Sequence, residues 1–433
     1  MPEPKCLRFG SFEFFPERGE LLKSGHRLHA QHQELLGLEL LLEKRGTRVS
    51  RGELTEKIWR NTSVGENNLN VVISRSRTLL GDNSQNPHFI KTVGRDAYCF
   101  VADVSERSFE SSPRQIAHEL CLRARHGLEV RTPQSVKMSL DLSRQAIATD
   151  PGYSLAYVCL ADALIIASLH AVMPPGDAFP RARAAARRAL ESQPDLAEAM
   201  VSEAWVHLCF DRNFIAAANE FKRALALRPT NPFAHNGRSL LFLALNRPQE
   251  AISAMKAAWG ADALSPPLNA LLSNAYYYNR EFDKAIEQGR KAVEWNPAFP
   301  VAHACLGRAC LQAGRGNEAI QHLELASHHS GESSIMLGLL AYAYGKSMRQ
   351  APANAILERL LDRMATAYVP PYFIGLAYLG LGDKEKALAW IDKAVEEHSH
   401  WVLFLRTDPA FDELRSHGQF GKLIEKVCNS SKP

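Results

Sequence analysis

The sequence predicts a multidomain chain, a small α+β domain followed by an all-α solenoid, and two observations carry that reading. Over roughly the first hundred residues short β-like runs alternate with helical ones, whereas everything beyond a polar stretch near residue 105 is helical and rich in Ala and Leu. Pro232, Pro266 and Pro300 then fall 34 residues apart, the length of a tetratricopeptide unit, a helix-turn-helix repeat.

The totals agree with this division. At 433 residues the chain is too long for one compact core. With 46% hydrophobic and 23% charged residues it reads as folded and soluble, and a net charge of +4 is too mild to identify a partner. The eight cysteines are scattered without a CxxC, and the closest pair, Cys305 and Cys310, falls on an Ala-rich helical pattern, so reduced thiols and no metal are expected. The start, MPEPKCLRFG, has no apolar run of signal-peptide length, which predicts a cytoplasmic chain. The most membrane-like stretch, residues 155–173, carries Asp162 and His170 and fits a repeat helix, so no membrane partner is expected.

In order, LRFG with FEFF, then ELLK with HRLH around Ser24-Gly25, read as two small hairpins. QELLGLELLLEKRG places apolar residues at helical spacing, and Gly46 is a stop signal. Ser50 with Glu53 three positions on forms a capping box that opens a short helix, SRGELTEKIW. A longer helix, NNLNVVISRSRTLLGD, ends in a Gly-Asp stop, and FIKTVGRDAYCFVADV gives two strands meeting at Gly94, Arg95 and Asp96. The boundaries expected are a first domain over 1–104, a linker over 105–113 (SERSFESSP), repeats over 114–400 and a capping segment over 401–433.

Within the repeats, Ser239, Ser273 and Gly307 share a position of close helix approach, and Ala251, Ala285 and Ala319 mark a second. The frame extends back to Trp205 and forward to Ala394, with one slip expected at 351–354 and an insert containing MPPGDAF inside the second helix pair. About eight helix pairs are predicted, enough to bury a continuous core. Leu414, Phe420 and Ile424 are placed in a cap over the last apolar face.

The element order of the first domain, hairpins, two helices, a longer helix and a closing hairpin, is that of a winged helix-turn-helix, in which the third helix enters the major groove of DNA. LRFGSFEFFPERGELLKSGHRL, LNVVISRSRTLLGD and NPHFIKTVGRDAYCFVADV resemble the effector domain of OmpR/PhoB-type response regulators, as found at the amino end of ToxR-, CadC- and HilA-like bacterial transcription activators. The repeats are similar to the tetratricopeptide arrays that often follow this domain in one-component regulators.

Local chemistry points the same way. Residues 44–77 carry eight basic side chains (44, 45, 48, 51, 57, 60, 75, 77) against three acidic ones (53, 56, 66), and phosphate contacts supply most of the affinity of such a unit. Leu69, Ile73, Ser76 and Leu80 fall on the inward face of the long helix, leaving Asn67, Asn70, Ser74, Arg75 and Thr78 outward. Asn bridges an adenine edge and Arg a guanine edge, so Asn70 and Arg75 are the candidate base readers; Arg77, Lys91, Thr92 and Arg95 are placed for phosphate. Three residues depart from the family pattern. Ser76 stands where a Leu is usual, and Asp96 and Ala97 replace a basic residue and Gly at the hairpin tip.

The chain has no phosphate-binding Gly loop, GxSxG or HExxH, so no enzyme, catalytic residue or cofactor is expected. Asn269, Asn274, Tyr277, His303 and Arg308 lie on first helices of the repeat pairs and are candidates for a concave partner-binding groove. The expected function is a transcriptional regulator. Its partners are double-stranded DNA, a protein or peptide in the groove, and a second copy in a homodimer. The alternative is a repeat scaffold whose winged helix no longer binds DNA specifically.

Overall fold

The computed structural model describes residues 5–429 except 17–18, 24–25, 29, 60–65, 95, 109–111 and 261. The chain divides into two compact units, residues 1–112 and 113–433.

In the first unit the two predicted hairpins form one meander. β1 (Lys5–Phe9) pairs with β2 (Phe12–Phe15), β2 with β3 (Glu20–Lys23), and β3 with β4 (His26–Arg27), all antiparallel. The expected turn at Ser24-Gly25 lies outside the described residues. A fifth strand, β8 (Ser105–Ser108), pairs with β1 and gives the order β4-β3-β2-β1-β8. This corrects the linker expected over 105–113. An edge strand is held through its backbone, so the polar sequence SERS leaves no apolar alternation to read.

α1 (His32–Glu43), α2 (Arg51–Trp59) and α3 (Glu66–Leu80) follow the meander. A second sheet, ordered β5-β7-β6, is built from β5 (Val49–Ser50), β6 (Ile90–Val93) and β7 (Ala97–Phe100). The capping box forms: the Ser50 N–H donates to Glu53 Oε2 at 2.8 Å, and the Glu53 N–H returns to Ser50 Oγ at 3.3 Å. Hydrogen bonds from Lys44 and then Ser50 hold the Glu53 carboxyl down at about 2. Phe9 stacks on Phe12 at 5.5 Å and meets Phe100 edge-on at 5.1 Å, an aromatic centre that joins the two sheets.

Among the described residues of the second unit, sixteen helices from α4 (Pro113–Val130) to α19 (Lys384–Glu396) follow one another as eight pairs. Their register is fixed by backbone. Arg212, Asn246, Arg280, Gly314, Met348 and Gly382, spaced 34 residues apart, all adopt left-handed φ at the turn inside a pair. The residue after each closes the turn, as when the Arg315 N–H donates to Cys310 O at 2.8 Å and the Arg349 N–H to Tyr344 O at 2.9 Å. There is therefore no slip at 351–354. Buried Ala353 occupies the Ala319 position, and the frame looked broken because Ser334 and Leu360 stand where Pro and Ala recur. The expected insert is also absent as a loop, since PGDAF forms the first turn of α7 (Pro175–Ser192).

Both predicted close approaches occur. Ser273 Oγ donates to Ala285 O at 2.7 Å, and a Cβ on Gly307 would lie 2.7 Å from Leu323 Cγ.

After α19 come 3-10 turns at His400–Phe404 and Pro409–Leu414, then α20 (Gly418–Asn429). Leu414 and Phe420 are buried and Ile424 is partly so, as a cap requires. The segment before them does more than cap. His398 Nδ1 donates to Phe210 O at 2.8 Å and Arg212 Nη2 donates to Val395 O at 2.7 Å, contacts that span 188 and 183 residues and tie the last pair to the third.

Candidate nucleic-acid interface

α3 separates cleanly into two faces. Leu69, Val72, Ile73, Ser76 and Leu80 are buried, whereas Asn68, Asn70, Val71, Ser74, Arg75 and Thr78 are exposed. The side chain of Asn67 and all of Arg95 lie outside the described residues. Val71, 47% exposed, was missed in the sequence because an apolar residue in an amphipathic helix reads as core. It lies one turn from Arg75 on the same face, and a branched apolar side chain there suits a thymine methyl.

Asn70 is not an isolated polar residue. Its Oδ1 accepts from Arg51 Nη1 at 3.0 Å and from the Tyr98 hydroxyl at 3.3 Å, while Arg51 Nη1 also reaches the Tyr98 hydroxyl at 3.0 Å. The start of α2, the middle of α3 and β7 are thereby locked together. Arg75 Nη1 donates to Gln31 Oε1 at 3.0 Å, which steadies one end of an exposed guanidinium. Thr78 Oγ1 donates back to Ser74 O at 3.0 Å.

Arg77 is placed differently from the sequence expectation. Its Nε and Nη2 donate to Ile90 O at 3.1 and 2.8 Å, and Nη2 also reaches Thr92 Oγ1 at 2.9 Å. The side chain clamps β6 against α3. Thr92 is engaged by the same contact, while Lys91 is exposed on β6.

Asp82 organises the loop leading into β6. Its Oδ1 accepts from the Asn83 and His88 amides at 3.0 and 2.7 Å, and its Oδ2 from Phe89 and Ile90 at 3.2 and 2.7 Å. Burial pushes this carboxyl up, but the four amides outweigh it and leave it below the ordinary aspartate value. With a lowered folded pKa, its stabilisation is present above about pH 4 and is lost as the pH falls through the folded value. Asp82→Asn should therefore destabilise residues 1–112 by about 1–3 kcal/mol at pH 7 and by little near pH 2; an equal loss at both pH values would contradict the assignment.

The three departures from the family pattern have local accounts. Ser76 is 3% exposed and its hydroxyl has no hydrogen-bond partner among the described residues, so it places a desolvated hydroxyl on the inward face of α3. Ser76→Ala should raise stability by about 1 kcal/mol by removing a desolvated hydroxyl, and Ser76→Leu should add packing. Urea titration of residues 1–112 checks this, and a lower midpoint for both variants would refute it. Asp96 at the hairpin tip is neutralised by Arg48, whose Nη2 lies 2.6 Å from Oδ1. Ala97 is not strained: it is buried in β7, opposite Val93 and Ser50, and among the described residues of the turn the left-handed one is Gly94 at φ +65°.

Of the five predicted groove residues of the repeat unit, Asn269, Tyr277 and His303 are buried and Asn274 and Arg308 are half-buried. Asn269, 1% exposed, donates to Ala263 O and Ser265 O, both at 2.8 Å. His303 Nε2 donates to Pro297 O at 2.8 Å. Asn274 accepts from Arg308 Nη1 at 2.9 Å, and Arg308 Nη2 pairs with Asp408 at 3.0 Å. Tyr277 and Tyr372 donate to the same carboxylate at 2.8 and 3.1 Å. Tyr277 and Arg308 are thus engaged by Asp408 of the same chain.

No described helix is long and apolar enough to cross a membrane.

Comparison with known proteins places these two units. Residues 25–100 match the family described as "Transcriptional regulatory protein, C terminal". Residues 211–266, 271–329 and 372–397 match tetratricopeptide repeat families. The DNA-binding dual master transcriptional regulator RpaA of Synechocystis sp. is 31% identical over 103 residues, 24% of this chain and 43% of that protein. The transcriptional regulatory protein YvrH of Bacillus subtilis is 31% identical over 91 residues, 21% of this chain and 38% of that protein. The chain spans less than half the length of these curated relatives. Among solved structures, the DNA-binding domain of Klebsiella pneumoniae RstA in complex with the RstA box is 26% identical over 22% of this chain and 96% of that one, with a TM-score of 0.21. The chain joins, at its amino end, a transcriptional regulatory domain of the OmpR/PhoB type to a following set of tetratricopeptide repeats.

Proposed function

We propose that the protein is a DNA-binding transcriptional regulator whose α3 reads promoter DNA and whose repeat array receives the input, through a protein partner or a second copy of the chain. The exposed face of α3 carries this reading. Val71 and Arg75 project one turn apart from a helix whose other face is sealed into the core, with Ser74 and Thr78 beside them. Asn70 is a positioned donor through its amide nitrogen. Lys91 and Arg95 of the wing and the amino end of α3 at Asn67 are assigned to phosphate and sugar contacts. Arg77 and Thr92 support the site from behind.

Selection of genomic fragments bound by the purified full chain tests this reading. One enriched sequence whose affinity falls steeply with salt is expected. Uniform recovery with a flat salt response would instead favour a repeat scaffold carrying an inert winged helix. Self-association is tested separately by sedimentation across a concentration series, where a monomer at every concentration would remove the second-copy option.

A further inference from the structure

The repeat array forms a partly open cavity of about 110 Å³ between its helices and the segment after α19. Most of the wall is apolar, including Ile335, Met336, Leu339 and Phe404. Its polar members form an unusual set. Arg131, in the turn between α4 and α5 (Pro133–Thr149), lines the cavity, and its Nε is buried without a hydrogen-bond partner among the described residues. Its closest recorded polar contact is His170 Nε2, 3.4 Å from Nη1. Trp401 lines the same space with a buried indole N–H that is likewise unpartnered among the described residues.

The neighbours do not neutralise Arg131. Burial, with Arg131 next and His400 after it, pushes His170 well below the ordinary histidine range, and burial alone lowers His400 to about 3. Both imidazoles are therefore neutral at physiological pH and contribute no further positive charge. A guanidinium stays protonated; Glu129, on the neighbouring cleft, acts on it through space, but no carboxylate among the described residues pairs with Arg131, so the wall holds a positive charge without an ion-pair partner. Burying such a charge is unfavourable unless an anion or several acceptors meet it. Arg308, the other cation on the wall, already faces Asp408.

We propose that this cavity is a binding site for a small organic monocarboxylate, its carboxylate paired with Arg131 and its apolar body against Ile335, Met336 and Leu339. One uncompensated positive charge suits a monoanion and not a dianion such as hydrogen phosphate. The volume limits the body to roughly four or five heavy atoms, fewer than benzene, which an apolar cavity of ~150 Å³ takes. Access is provided beside Arg131, which with Asn236 and Leu271 also lines a neighbouring, more open cleft of about 540 Å³. The site stands on the repeat unit alone and does not depend on DNA binding, so its failure would leave the reading of α3 untouched.

The test uses the full chain with 3-methylbutanoate and 3,3-dimethylbutanoate as probes, the neutral 3-methylbutanamide as an isosteric control, and inorganic phosphate as a small-anion control. Calorimetric titration should show saturable binding of at least one carboxylate with a matching rise in melting temperature, while the amide and phosphate bind at least about tenfold more weakly. Arg131→Gln should lose about tenfold or more in carboxylate affinity. Met336→Trp, which fills the space and leaves Arg131 in place, should abolish binding, and it keeps the test decisive if Arg131→Gln does not fold. Absence of heat and of a melting shift for both carboxylates at tens of millimolar would overturn the proposal. So would equal binding of the amide or of phosphate, or undiminished carboxylate binding by a folded Arg131→Gln or Met336→Trp variant.

Discussion

Replacing Asp408 with Ala should lower the stability of the repeat unit by about 3–5 kcal/mol, because it removes one member of a buried charged cluster and leaves the others in place. The carboxylate accepts from Tyr277, Arg308, Tyr372 and the Ala410 amide at 2.8, 3.0, 3.1 and 3.0 Å. None of these donors gains water when the acceptor is deleted, since Tyr277 and Tyr372 are buried and Arg308 nearly so. Asp412 provides an internal control. Its bidentate pair with Arg280, at 2.6 and 2.7 Å, is solvent-exposed, so Asp412→Ala should lose about 1 kcal/mol or less. Chemical denaturation of the two variants side by side decides the matter: losses within 1 kcal/mol of each other would show that burial does not control the Asp408 contribution. Asp408→Asn should fall between them, since the amide keeps one acceptor but turns an N–H₂ toward donors.

Arg75→Ala should weaken binding to the preferred operator by about 1–3 kcal/mol, roughly tenfold to a hundredfold, and relax selectivity at one base pair. Lys91→Ala should weaken every sequence about equally and reduce the salt slope by about one. Arg77→Ala should behave as neither. Its hydrogen bonds end on Ile90 O and Thr92 Oγ1, so the expected result is a lower unfolding midpoint of residues 1–112 with base preference unchanged in the folded fraction. Competition binding against single-base operator variants separates the three. If Arg77→Ala alone altered preference at one position, the geometry assigned to α3 would be wrong.

Much of the fold was legible because it is periodic. The inward frame of α3, including the anomalous Ser76, follows from helical spacing, and the proline and alanine positions of the array follow from a backbone that repeats every 34 residues. Features that depend on distant pairing left no such trace. β8 is polar and is a strand only because β1 lies beside it. Arg308 and Asp408 are 100 residues apart, so their pairing is invisible to any local pattern. An arginine at the Arg77 position of the helix reads as a phosphate contact; that its fork closes on Ile90 depends on where β6 lies. Val71 shows the opposite case, an apolar residue whose exposure is decided by the angle of one helix.

The contacts from Arg212 to Val395 and from His398 to Phe210 alter how the array responds to load. An open stack of repeats is a soft spring that lengthens unit by unit, because each pair is held only by its neighbours. Here the coil is clasped, third turn to last, with the segment around Asp408 threaded through it as a pin. Stretched between residues 113 and 429, the five pairs from α10 (Pro232–Ala244) to α19 lie inside the clasp and bear little tension until it parts. The force trace should accordingly show early steps from the first pairs, then one larger rupture, after which the shielded repeats give way together.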